Sequence, residues 1–143
     1  MQMSSLEDNK AKALRIYKAM SEADLATIDE LVAADMVNND PSLPPLAPGI
    51  AGYKQLIGLI KAGVPDAIFE VVDQVAEGDL VASRWIISGT HQGEFLGIPA
   101  TNKKVATSGT VIQRFENNKS QEHWAIWDTM GLLVQLGVVP GGK

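Results

Sequence analysis

The chain has 143 residues, 45% of them hydrophobic and 20% charged, which suits one domain with a real core and argues against disorder. Its 12 basic and 17 acidic side chains leave a net charge of −5 with no basic stripe, which argues against nucleic acid or an anionic membrane as partner. With no cysteine, disulfides and thiolate chemistry are excluded, and a zinc site would have only two histidines to draw on.

The opening MQMSSLEDNKAKA lacks the apolar centre of a secretion signal, and no run approaches the ~18 apolar residues that span a bilayer. The expectation is a single cytoplasmic domain over residues 1–143. Ser4 or Ser5 can cap a first helix, with Glu7 and Asp8 suited to its first turn. Leu6, Ala13, Leu14, Tyr17 and Met20 then follow at roughly helical spacing. A second helix starts after Asp24 and turns Leu25, Ile28, Leu31 and Val32 to one side. After Asp35-Met-Val-Asn-Asn-Asp, residues 41–48 read as a loop, because Pro41, Pro44, Pro45 and Pro48 forbid regular helix or central strand. Its length suggests that it covers something. Asn38, Asn39 and Asp40 can point polar groups into a pocket there, or simply form the turn.

Helical spacing returns over 49–62 and ends at Gly63, Val64 and Pro65. Residues 67–76 read as a strand, 77–79 as a tight turn and 80–91 as the next strand. Alternation puts Val81, Trp85, Ile87 and His91 on one face of that strand and Arg84 on the other. A third strand over 104–115, a turn at 116–119 and a fourth strand over 120–127 complete a meander. Leu132, Leu133 and Leu136 form a closing helix, stopped by Gly137 and Pro140. Helices followed by a meander imply an α+β fold: a curved antiparallel sheet packed by the N-terminal helices, cone-shaped and enclosing a pocket.

The run GTHQGEFLGIPATNKKV, an alternating strand, and then RFENNKSQEHWAIWDTMGLLVQLG resemble SnoaL-like polyketide cyclases and the broader ester cyclase group. These are cone-shaped α+β proteins of the nuclear-transport-factor-2-like class. The resemblance runs from the first helices to the tail. It implies an aspartate near the end of the last strand that removes a proton from a carbon flanked by carbonyls. The enolate then closes a ring by intramolecular aldol addition, and neither a metal nor an organic cofactor takes part. Asp128 matches that aspartate. Where the family often carries a histidine in the early loop, this chain has Asn39, which can hydrogen-bond a substrate carbonyl.

Alternation in the last strand places Glu122, Trp124, Ile126 and Asp128 on one face, and Gln121, His123, Ala125 and Trp127 on the other. A carboxylate beside Trp124 and Ile126 would be partly desolvated and a better base, although Asp128 is equally well placed to cap the closing helix. His91 is either a loop histidine with a structural bond or a proton donor to a developing alkoxide. His123, opposite Asp128 in the alternation, is expected at solvent or an interface. Trp85 and Trp124 either pack in the core or line a pocket for a flat ligand. Phe95, beside Glu94, can form a rim over its mouth. Arg84 and Arg114 either reach solvent or, in one case, orient a substrate carboxylate. The two histidines show no metal-ligand spacing.

The favoured reading is a cofactor-free cyclase acting on a small apolar carbonyl compound, with Asp128, His91 and Asn39 doing the chemistry. Trp85, Trp124, Phe95 and Arg114 would bind the substrate. The alternatives are a non-catalytic binding protein of the same fold, or an epoxide or ester hydrolase. The resemblance also implies a homodimer, paired through the open sheet faces.

Overall fold

A computed structural model of the chain describes residues 5–140. Helix α1 (Ser5–Glu22) and helix α2 (Leu25–Leu31) form an antiparallel pair. A cap at Ser4 lies outside the described residues. Between the helices Ala23 turns the chain with φ 53°, and the Asp24 carboxylate accepts bonds from the Thr27 amide at 3.2 Å and hydroxyl at 2.7 Å. One of the orphan backbone donors at the start of α2 is thereby satisfied, as an N-cap residue should do.

Strand β1 (Val32–Asn39) follows with no intervening loop. No strand was expected in this stretch, between the second helix and the proline-rich loop. Val32, Ala33 and Met36 are buried in it, so it is held by its inward side chains rather than by strong alternation. The proline-rich loop comes next, then helix α3 (Gly49–Gly63) and strand β2 (Ile68–Glu77). Strands β3 (Leu80–Thr90), β4 (Lys104–Glu116) and β5 (Lys119–Trp127) form the meander, and helix α4 (Thr129–Leu136) closes the chain.

The five strands lie in the order β1-β5-β4-β3-β2 in one curved, unclosed sheet. Four of them are antiparallel neighbours, as expected. β1 instead runs parallel to β5, so the sheet is mixed. Register shifts at Val71/Asp73, Arg114/Phe115 and Val32/Val37 mark irregularities, which strengthen twist and bend strands locally. Local chemistry sets both hairpins. Asn117 and Asn118 have φ of 53° and 67°, the double left-handed geometry that a two-residue type I′ turn demands.

Helix α1 covers β2 and β3, α3 lies against β1, and α4 sits on β4. The core therefore forms where the concave sheet face meets α1 and α3. Ile16, Ile28, Val81 and Val111 are each almost wholly removed from water there. Burying a side chain of this size contributes about 1.5–3 kcal/mol, so these few positions set much of the fold's stability.

Candidate active site

The concave face does not fill completely. A cavity of about 470 Å³, counted to its open mouth, remains between the sheet and the two helices. Its free interior is a slot of only about 40 Å³. The floor is Trp85 and Ile87 of β3, Val111 of β4, and His123, Ala125 and Trp127 of β5. Tyr17 and Met20 of α1 and Tyr53, Leu56 and Ile60 of α3 form the roof. Asp40 and Leu43, from the loop after β1, close one end.

Aromatic packing shapes the slot. Tyr17, Phe69 and Trp85 form a cluster with ring centroids 5.2–6.1 Å apart. Gly109 makes room for Trp85, its direct partner across β3 and β4. A Cβ at that glycine would lie 2.5 Å from the indole ring. The Trp127 indole N–H donates to the Thr107 hydroxyl at 2.7 Å, which fixes the other end of the floor. The Trp85 indole N–H is buried without a hydrogen-bond partner among the described residues. A buried donor left unpaired costs about 1–3 kcal/mol, and a ligand oxygen would recover it.

Four titratable side chains line this slot, and burial acts on each. Desolvation raises the Asp40 carboxyl above its ordinary value, opposed by hydrogen bonds from Ser42, whose amide donates at 2.9 Å. Burial lowers His123 from 6.5 to about 4, so its ring is neutral at neutral pH. Its Nε2 lies 2.8 Å from the Asn38 amide oxygen, which can only accept. The proton is therefore on Nε2, and Nδ1 keeps a free lone pair. Burial first, then Tyr53, pushes Tyr17 far up; the adjacent Trp85 N–H opposes this and Asp40 adds a smaller push, while burial alone raises Tyr53. Both phenols stay protonated, with the Tyr53 hydroxyl donating to the Met20 sulfur at 3.1 Å.

Of the residues expected from the sequence, Trp85 lines this slot. Most of the others lie elsewhere. Asp128 is exposed beyond the outer face of the sheet, where its carboxylate caps α4 by accepting from the Gly131 amide at 2.8 Å. It is not the desolvated carboxylate anticipated beside Trp124 and Ile126. Those two residues are themselves 41% and 59% exposed. The alternation of β5 was read with the right parity, but the pocket is on the other face, that of His123. His123 is only 5% exposed, the reverse of the solvent position expected for it.

Asn39 donates to the Glu122 carboxylate and the His123 carbonyl, both at 3.1 Å, and so ties β1 to β5 away from the slot. Its neighbour Asn38 turns inward instead. His91 is buried at the end of β3, where Nδ1 accepts from the Thr101 amide at 3.3 Å and lies 3.0 Å from its hydroxyl. It fastens the 91–103 loop and does not line the slot. Phe95 is no rim: it is buried behind Trp127, with ring centroids 5.8 Å apart, and lies against Gly63. Arg114 faces outward and pairs with Glu116 at 2.7 Å and Glu122 at 3.6 Å. Arg84 likewise meets Asp73 at 2.8 Å on the outer surface. No arginine lines the slot; Arg84 instead shares a shallow outer-face hollow with Asp128. Among the described residues no three His, Asp or Glu side chains converge as a metal site.

Such a fold, an apolar slot with a few polar groups inside a curved sheet, defines a small-molecule site rather than a macromolecular interface. No described helix is long and apolar enough to cross a membrane. Residues 11–136 match the SnoaL-like polyketide cyclase family, and the chain belongs to it. It is 26% identical over 111 residues to nogalonic acid methyl ester cyclase of Streptomyces nogalater, covering 77% of this chain and 83% of that one. Among solved structures it resembles IdmH of Streptomyces antibioticus, a candidate polyketide cyclase, at 34% identity and TM-score 0.80, covering 91% and 99% of the two chains. It also resembles AclR of Streptomyces galilaeus, a candidate hydroxylase, at 30% identity and TM-score 0.84, covering 96% and 86%.

Proposed function

We propose that the chain is a cyclase that removes a proton from a carbon flanked by carbonyls, and that Asp40 rather than Asp128 is the base. The observation that carries this reading is the position of Asp40. It is the one carboxylate among the described residues lining the slot, and burial raises its proton affinity. A general base works best with a pKa near the operating pH. Burial moves Asp40 towards that condition and moves His123, at about 4, away from it.

The steps balance without any further reactant. Asp40 takes the carbon-bound proton, and the electron pair passes to the carbonyl oxygen as an enolate. The Trp85 N–H and the Tyr17 hydroxyl are the neutral donors available to that oxygen. The enolate carbon adds to a second carbonyl in the same molecule, and the new alkoxide takes the proton back from Asp40. The aromatic walls suit a flat, apolar carbonyl compound.

Nogalonic acid methyl ester is the first substrate to try, with exchange of its acidic carbon-bound protons in D2O followed by NMR. Asp40→Asn is expected to lose about 100- to 10,000-fold in exchange and ring closure, the usual contribution of a general base. Asp128→Asn is expected to match the wild type. Full turnover by Asp40→Asn would end this assignment.

The outward position of Asp128 favours a second reading, a non-catalytic binding protein. That reading requires the ligand to bind wild type and Asp40→Asn alike, with exchange in neither.

A further inference from the structure

We propose that residues 40–48 are a lid over the slot, that Ser42 is its latch, and that the latch holds Asp40 at the cavity wall. The last clause rests on the assignment of Asp40 as base; the lid does not.

The need for a moving wall follows from size. A free interior of about 40 Å³ has room for a few waters at ~10–15 Å³ each but falls far short of the ~300–1,000 Å³ of a typical ligand pocket. A much larger groove, about 710 Å³ on the same measure, lies outside the loop along β1. Asp40 and Leu43 line both spaces, so these two side chains are the partition between them. Displacing them would merge slot and groove into a site of ligand size.

The loop also has few backbone donors with which to tie itself down. Four of its nine residues are prolines and have no N–H to offer. At its far end the Ala47 amide donates to the Gln55 side chain at 3.1 Å, and the Ala47 carbonyl passes so close to Gly52 that a Cβ there would collide with it. That end is anchored on α3. At the near end Ser42 bonds in both senses to one peptide position of β5. The Trp127 amide donates to its hydroxyl at 3.1 Å, and the hydroxyl reaches the Trp127 carbonyl at 3.4 Å. The Ser42 amide in turn donates to Asp40. Releasing Ser42 from β5 therefore frees Asp40 together with the partition, and closing the lid restores both.

The test uses N-phenyl-1-naphthylamine, a neutral apolar fluorophore, and measures its association rate by stopped flow. Ser42→Ala is expected to raise that rate on the order of tenfold, the effect of losing a net neutral hydrogen bond. Ser42→Thr, which keeps the hydroxyl, is expected to return it to the wild-type value. On nogalonic acid methyl ester, Ser42→Ala should lower kcat while Ser42→Thr restores it. An association rate for Ser42→Ala within twofold of wild type overturns the latch, as does failure of threonine to rescue. The latch is read from the association rates of the Ser42 variants and the base from turnover of Asp40→Asn, so if Asp40→Asn keeps turnover the base assignment falls while the latch stands.

Discussion

Lowering the pH from about 7 to 4 should remove a large part of this protein's stability through one side chain, His123. The residue is buried on β5 between the edge of Tyr53, 5.7 Å away by ring centroid, and the Asn38 oxygen at 2.8 Å. Burial lowers its pKa from 6.5 to about 4. The unfolded chain therefore takes up a proton near 6.5, whereas the folded chain resists until about 4. The sign follows directly: the contribution is complete above 6.5, declines as pH falls through that window, and is lost below about 4. A gap of roughly 2.5 units at 1.36 kcal/mol each is about 3 kcal/mol, a substantial share of a typical domain's ~5–15 kcal/mol.

Asp40 acts in the opposite direction. Its raised pKa lets the folded state bind a proton first, which adds stability as pH falls through that value towards 3.8. The comparison must therefore be made against His123→Gln, which retains Asp40. Urea denaturation of both proteins from about pH 7.5 to 4 gives the two stability curves. The advantage of wild type over His123→Gln is expected to shrink by about 3 kcal/mol across that range. Parallel curves would refute the argument, and so would an NMR titration of the His123 ring with an ordinary midpoint.

Asp128→Ala should cost about 1 kcal/mol in thermal or urea denaturation by removing the cap of α4, and Asp128→Asn only a few tenths. Neither change should alter fluorophore binding; a loss of binding would return Asp128 to the site. The outer sheet face carries Ile112, Trp124 and Ile126 at 43%, 41% and 59% exposure, and we expect two copies to pair there. Light scattering at micromolar concentration should give a dimer for wild type and a monomer for Trp124→Glu. A monomeric wild type would refute the pairing.

The parts of the fold that local chemistry decides were legible in the sequence. Asp24 before an apolar-periodic run, Asn117-Asn118 between alternating strands, and Gly137 after a leucine-rich turn each act within a few residues. β1 was not legible, for a physical reason. It pairs in parallel with β5, so its partner lies more than eighty residues away and no hairpin turn announces it. Its sequence, VAADMVNN, is a weak alternator that runs into Asp40 and Pro41, a strong turn signal. The site was half legible for a related reason. Alternation gave the two sides of β5 correctly, but both sides are apolar or aromatic, and composition could not say which one faced inward. Arg84 marks the outer face of β3, and register carries that mark from Arg84 to Thr110 and from Thr110 to Ile126. That chain of pairings is tertiary information, and without it Trp124 and Asp128 looked as internal as His123.

Once β1 is in place, its end brings a carboxylate to the slot, which Asp128 does not reach. Running parallel beside β5, it delivers Asn38 to His123, and the chain then crosses the slot with Asp40 at its mouth. The burial that raises Asp40 also keeps His123 uncharged, and both arginines of the sheet are committed to carboxylates on the outer face. Among the described residues the slot thus has no cationic side chain at neutral pH. An enolate formed there must be stabilised by neutral donors, which makes the unpaired Trp85 N–H and the protonated Tyr17 hydroxyl the groups on which the proposed reaction depends.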